Sequence, residues 1–408
     1  MRIAYLHEPF ITSGGGAPLS LKRLAEEMVK RGHEVTIFAG APMKHQKPFD
    51  NHPGNCTVQE LRSTRLRQQW ARKVVDLQFK RGGYRLNQWL DAGGYFYLSA
   101  NGTYAPEITK SALYKSFDVI VLFASSTTPW TIAFSRVLPK LGHKATFAVP
   151  YFHPKEHPGR LPIHTKLHEG LTGIITATDF ESKHLREQGW EQKIIQDVGV
   201  GSDTFDESVS GDAFRTKHRI PPDVPLILFL GRKVYNKGVI HVVEAMDRVW
   251  DAHPDARLAL IGFAHNPKSW LKNDLKKSRH EALSKTIDLY DVPILEREEA
   301  LAACTVMAAP SISDSFGIVY LDAWRNRKPV MACKDTCCES FIEDGRNGHL
   351  VTFGDTREIS DLLLWHIQQA EASKKMGERG YELWDRYFRW EHVAERSEAI
   401  YMKGLSEG

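Results

Sequence analysis

No stretch of this sequence approaches the ~20 apolar residues that a membrane-spanning helix needs, so any membrane contact would be peripheral. The N-terminus, MRIAYLHEPF, reads as a short strand with charges close behind and lacks the apolar segment of a signal peptide. Cysteine is scarce and odd in number: Cys56, Cys304, Cys333, Cys337 and Cys338. Such a scattered set is not a disulfide framework and points to a reducing, cytoplasmic setting. The CxxxCC run also lacks the spaced ligands and fourth partner of a zinc site, so these residues read as small apolar filler. Neither sign of charge dominates. Lys and Arg number 54 against 50 Asp and Glu, a net +4, too small an excess to argue for nucleic acid. Internal repeats and low-complexity tracts are missing as well.

What is present is ordinary globular composition, 42% hydrophobic and 25% charged, over 408 residues, enough for two domains. Short apolar strands alternate with amphipathic helices. Strands are predicted at 2–6, 34–38, 118–123, 145–149, 174–177, 225–230, 257–261, 306–309 and 329–332. Helices are predicted at 19–31, 131–141, 180–188 and 239–250. This alternation argues for parallel sheets covered on both faces. A Gly-, Asp-, Ser- and Pro-rich stretch, 199–224, separates two such series and reads as a linker. The expected architecture is α/β, with two doubly wound Rossmann-like domains facing across a deep cleft. The domains are placed at 1–205 and 206–385. Residues 386–408 are expected to form a helix packing back on the N-terminal domain.

Residues 43–117 are too long for an ordinary βα connection. Within them Arg62, Arg65, Arg67, Arg72, Lys73, Lys80, Arg81 and Arg85 face only Asp76, with Trp70, Phe79, Tyr84 and Trp89 interleaved. One reading is a solvated helical insertion with its aromatics packed inward. The other is a face gripping an anionic acceptor or a membrane surface. Nothing in it resembles an RRM, KH or OB signature, so nucleic acid is not expected.

The chemistry concentrates in four places. PSISDSFGIVYLDAW, 310–324, follows an apolar strand and opens a helix near Phe316 or Gly317. Asp314 lies in the loop and Asp322 over a turn inside the helix. Free N–H groups around Phe316, Gly317 and Ile318 make an anion site flanked by two hydroxyl acceptors. LILFLGRKVYNKG, 226–238, puts Arg232 and Lys237 at a strand's carboxyl end, where a guanidinium and an ammonium suit a diphosphate. The glycines Gly14, Gly15 and Gly16 follow the first strand, where backbone can approach a ligand closely, although GGGAPLS is neither GxGxxG nor a P-loop. VPYFHPKEHP, 149–158, places His153 after a strand, as a cleft residue or simply a packed one.

These motifs, in this order, resemble the family 4 retaining glycosyltransferases of the GT-B fold. RKPVMAC followed by EDGRNGHLV, ATDFESKHL and DVGVGSDTF also fall in the expected places, so the resemblance spans nearly the whole chain outside 43–117. The resemblance implies transfer of a hexose-type sugar from a nucleotide diphosphate donor to a glycan, lipid-linked or small-molecule hydroxyl, with retention and without a metal or other cofactor. It puts Arg232 and Lys237 on the donor diphosphate, Asp314 on the transferred sugar and Asp322 on the ribose. Phe316, Gly317 and Ile318 would offer N–H groups, Gly15 and Gly16 would approach the phosphates, and His153 would lie beside the sugar. The base would be read by backbone near 292–296. Two departures stand out: both acids are aspartate where the family has glutamate, and Thr336–Cys337 replaces a Gly-Gly pair. Rival expectations are a GT-B epimerase or phosphorylase, and a catalytically degenerate nucleotide-sugar-binding protein.

Overall fold

The computed structural model describes residues 1–7, 16–40, 54–61, 106–123, 130, 134, 137–142, 145–150, 170–187, 189, 194–204, 206, 208–263, 284–290 and 292–407. The chain forms two compact units. Unit 1 comprises Met1–Val200 and Trp390–Gly408, and unit 2 comprises Gly201–Arg389.

Unit 1 contains β1 (Arg2–His7), α1 (Gly16–Lys30), β2 (Glu34–Gly40), β3 (Thr57–Leu61), β4 (Val119–Phe123), β5 (Ala145–Val149), β6 (Gly173–Thr176), α2 (Asp179–Glu187) and β7 (Ile194–Asp197). The sheet runs β3-β2-β1-β4-β5-β6-β7 with every pair parallel. Its central strands carry apolar side chains on both faces because both are covered; β4 and β5 are buried throughout. Against one face pack Phe38, Tyr114, Trp130 and Phe134. β3 lies inside the stretch read as an insertion. Its sequence, TVQEL, is largely solvent-facing at the sheet edge, so it lacks the apolar run that marks the inner strands. Of the predicted helix at 131–141, the turn Leu138–Lys140 is 3₁₀, with Pro139 supplying no N–H for an α-helical bond there.

Unit 2 contains α3 (Asp212–Lys217), β8 (Leu226–Leu230), α4 (Val239–Ala252), β9 (Arg257–Ile261), β10 (Thr286–Leu289), α5 (Ile294–Ala303), β11 (Val306–Ala308), α6 (Ile318–Arg325), β12 (Val330–Cys333), β13 (His349–Val351), α7 (Thr356–Gln368) and α8 (Ala370–Tyr387). The all-parallel order is β10-β9-β8-β11-β12-β13. α4 buries Val239, Val242, Val243, Met246, Val249 and Trp250, each worth about 1.5–3 kcal/mol when fully withdrawn from water. Much of the predicted linker belongs to this unit. Phe214 of α3 is fully buried, and the Arg215 guanidinium ties the carbonyls of Pro221, Val224 and Ala303 together at 2.8–3.0 Å. The last helix, α9 (Trp390–Glu407), returns to unit 1. There the Tyr401 and Tyr5 hydroxyls meet at 3.2 Å, and Arg396 donates to the Val198 carbonyl. Among the described residues no helix is long and apolar enough to cross a membrane.

In each sheet the strand order reverses once, between β1 and β4 and between β8 and β11. Loops diverge at such a reversal, leaving a crevice beyond the strands' carboxyl ends where ligands of open α/β sheets bind.

Candidate active site

In unit 2 the two loops at the reversal are stitched together. The Ile312 N–H donates to the Asn236 carbonyl at 3.0 Å, and the Ser311 hydroxyl donates to the same oxygen at 3.3 Å. Gly238 makes the close approach feasible. Its φ is +75°, and a Cβ there would lie 2.2 Å from the Pro310 carbonyl oxygen. From the β8 loop, Lys237 Nζ donates to the Ser313 carbonyl and to Asp314 Oδ1, the latter at 2.5 Å. Arg232, one residue beyond Gly231, is exposed and has no protein partner among the described residues.

Beyond Asp314 the chain turns into α6. Gly317 takes φ +92° at the N-cap, a left-handed conformation that glycine adopts without a Cβ clash. The N–H groups of Phe316, Gly317 and Ile318 meet no protein acceptor among the described residues. They point a partial positive charge outward from a helix start that carries no acid in its first turn. The loop is braced from behind. Phe316 stacks on Phe341 with ring centroids 4.7 Å apart and planes 16° off parallel, and the Tyr320 hydroxyl donates to the Ala309 carbonyl at 2.5 Å. Cys337 Sγ donates to the Asp314 carbonyl at 3.1 Å.

Asp314 and Asp322 therefore have different partners. Asp314 pairs with Lys237. Asp322 is 6% exposed; its Oδ1 accepts from the Ser202 hydroxyl at 2.9 Å and lies 3.7 Å from Arg325 Nη2. Burial raises its pKa, opposed by the nearby Arg325 and Arg297 guanidinium groups. Arg325 also pairs with Glu298 and the Asp203 carbonyl, and Arg297 reaches Glu298 at 3.0 Å. This cluster of two carboxylates and two guanidinium groups is tertiary: Ser202 stands 120 residues from Asp322. No local spacing advertises it. Lys233, between the two cations of the motif, turns inward instead. Its side chain is 1% exposed, and its ammonium binds Asp288 and the Leu289 carbonyl and has its pKa lowered by burial. Near the segment predicted to read a base, Glu296 is held by Lys217 at 2.8 Å and His218 at 3.2 Å; the Lys217 hydrogen bond keeps its carboxyl below the usual range.

In unit 1, Gly16 is the exposed first residue of α1, whose first turn carries no acid. Gly14, Gly15, His153 and the basic run Arg62–Arg85 lie outside the described residues. At the β1/β4 reversal sits His7, which the sequence reading passed over. It is 1% exposed, with Nδ1 3.3 Å from the Phe123 carbonyl, and burial pushes its pKa down to about 4. All five cysteines are buried and free, and among the described residues no group of three metal-ligating side chains gathers.

Residues 211–383 match the family model described as glycosyl transferases group 1. Along its whole length the chain is 24% identical to a phosphatidyl-myo-inositol mannosyltransferase of Mycobacterium leprae, covering 98% of that protein. It is 26% identical, over 88% of its own length and 84% of the relative's, to a D-inositol 3-phosphate glycosyltransferase of Xylanimonas cellulosilytica. Among solved structures, the HepE protein of Anabaena in complex with UDP and glucose superimposes with a TM-score of 0.71 at 15% identity, over 98% of this chain and 99% of that one. A sucrose-phosphate synthase from Thermosynechococcus elongatus gives a TM-score of 0.75 at 15% identity, covering 100% of both chains. The fold is GT-B: two α/β units, each built on a parallel sheet.

Proposed function

We propose that the chain, whose residues 211–383 match the group 1 glycosyl transferase model, moves a hexose from a nucleotide diphosphate sugar to an acceptor hydroxyl, with retention. The observation that carries the proposal is the set of unspent donors at the β8/β11 reversal. The Arg232 guanidinium meets no partner among the described residues, Lys237 has two of its three N–H bonds occupied, and three backbone N–H groups open α6. A diphosphate uses all of these, and Asp314 and Asp322 supply acceptors for sugar and ribose hydroxyls.

The reaction is a front-face transfer. As the bond from the anomeric carbon to the diphosphate oxygen lengthens, positive charge grows on the sugar and negative charge on the leaving diphosphate. Arg232, Lys237 and the α6 N-terminus hold that negative charge in place and favour the transition state over the bound donor. The acceptor oxygen bonds to the anomeric carbon on the face the diphosphate leaves, and its proton passes to a donor phosphate oxygen. Two fixed cations and a helix start supply the neutralisation a divalent ion would otherwise give, so the reaction needs no metal. His153, Gly15 and Gly16 are assigned the unit 1 contacts to sugar and phosphate that the resemblance implies.

The names of the two relatives both carry a phosphorylated inositol. That supports an anionic polyol or lipid-linked acceptor, for which the basic run from Arg62 to Arg85 and a peripheral membrane position are suited. The UDP and glucose of the HepE complex make UDP-glucose the first donor to try. A thermal-shift screen over UDP-, GDP- and ADP-sugars tests the reading: one nucleotide sugar at 100 times its Kd adds about 2.7 kcal/mol, and EDTA leaves the shift unchanged. A flat response to all three bases would remove the donor site from unit 2.

A further inference from the structure

The loop that carries Asp314 rests on the short 3₁₀ helix Cys337–Ser340, and the contact is specific. Cys337 is 2% exposed, and its Sγ lies 3.1 Å from the Asp314 carbonyl and 3.7 Å from the Phe316 carbonyl. Four residues on, Phe341 stacks under Phe316. The support is itself fixed: the Thr336 hydroxyl donates to the Cys333 carbonyl at 2.8 Å, and its oxygen accepts from the Cys338 N–H. Asp314 is thus gripped twice. Lys237 takes its carboxylate from the diphosphate side, and Cys337 takes its carbonyl from the core side.

We propose that Cys337 is a positioning residue for donor binding, setting where Asp314 and the three N–H groups that follow it stand. This rests on the donor site proposed above. Asp314 ends in a short side chain with one rotatable bond fewer than glutamate, so its carboxylate goes where its backbone goes. The Asp314 carbonyl is the point at which the thiol restrains that backbone. The S–H is a weak donor, so losing this bond changes stability little, whereas misplacing a reacting group by an ångström has large consequences for rate. The side chain at 337 is therefore a determinant of donor geometry although it touches no substrate.

The matched control is Cys304. It is equally buried at 2% exposure, and its Sγ donates to the Leu301 carbonyl at 3.2 Å, in the turn between α5 and β11 and away from the donor loop. Cys337→Ala and Cys304→Ala each remove one buried sulfur and one S–H···O bond. Two readouts on the full chain separate their effects. Hydrogen–deuterium exchange of the peptide spanning 311–320, whose Ile312 and Tyr320 amides are bonded to the Asn236 and Gly317 carbonyls, needs no ligand; it is expected to accelerate at least about twofold in Cys337→Ala, to stay at the wild-type rate in Cys304→Ala, and to recover in part in Cys337→Ser. Affinity for UDP-glucose or GDP-mannose, whichever shifts the wild-type protein, is expected to fall by a similar factor in Cys337→Ala alone. Unchanged exchange in Cys337→Ala, or equal acceleration in the two alanine variants, overturns the positioning role. If no UDP-, GDP- or ADP-sugar binds the wild-type protein while exchange responds as expected, the donor assignment fails and the brace on Asp314 stands.

Discussion

Arg232 and Lys237 carry the same charge but differ in what their removal would expose. Arg232 is solvent-facing and has no protein partner among the described residues, so Arg232→Ala is a clean deletion. Its unfolding free energy should stay within about 0.5 kcal/mol of wild type, while nucleotide diphosphate affinity drops. Lys237 also ties the Ser313 carbonyl and the Asp314 carboxylate. Lys237→Ala should therefore cut transfer by about 10²–10³-fold, the usual loss when one transition-state donor is removed, and should also loosen the donor loop. Lys237→Arg should not rescue it, because a planar fork cannot reproduce a compact ammonium shared among three acceptors. Steady-state transfer rates paired with urea unfolding of all three variants check this. Near-normal turnover in Lys237→Ala would take the residue out of the mechanism. The aspartates teach a related lesson. Their place beside a helix start is readable from SDSFGIVYLD, but their partners are not. Ser202, Arg325 and Glu298 reach Asp322 or its neighbours only through the fold, and Cys337 reads as filler until its sulfur is seen against the Asp314 carbonyl.

At the scale of elements, the strands and helices were largely legible because period and burial agree: LILFL forms β8 and VIHVVEAM begins α4, close to their predicted bounds. What escaped was either weakly apolar, like the edge strand β3, or anchored at long range, like α3 with its Arg215 bridge to Ala303. Strand order escaped too, since nothing local reveals that β8 lies beside β11, and the site depends on that adjacency. The start of α6 offers a test of how tightly the loop is built. Gly317 has φ +92°, and an added Cβ would lie 2.4 Å from the Tyr320 ring. Gly345 has φ +72° with nothing within 4 Å of an added Cβ. Gly345→Ala should cost only the left-handed strain, about 1–2 kcal/mol. Gly317→Ala adds the displacement of a ring whose hydroxyl is anchored on Ala309, so its midpoint should fall further and its donor affinity should fall with it. Equal midpoints for the two variants would mean that Tyr320 yields freely and that the α6 start is not a rigid element.

Across the whole molecule, each unit buries a neutral histidine that must stay uncharged for the fold to persist. His7 in unit 1 has its pKa lowered to about 4 by burial. His366 in unit 2, fully buried with Nδ1 2.8 Å from the Ser373 hydroxyl and its ring centroid 5.2 Å from that of His349, is lowered to about 3, chiefly by burial and secondarily by His349. The unfolded chain titrates both near 6.5. Above that pH neither state binds the proton, and the histidines make no pH-dependent contribution. Below it the unfolded state takes up protons that the folded units refuse, so stability falls as pH falls, by about 1.4 kcal/mol per pH unit for each histidine. At pH 5.0 each unit should therefore have lost about 2 kcal/mol relative to pH 7.5. That window lies above the ordinary carboxylate range, so acid groups contribute little to the slope. Urea midpoints at pH 7.5, 6.0 and 5.0 measure it. His366→Gln keeps a polar partner for Ser373 but has no proton to gain, so it should flatten the slope of the unit 2 transition while the unit 1 transition keeps its own. Midpoints that do not move between pH 7.5 and 5.0 would show that water reaches both rings and that neither histidine is held neutral by the fold.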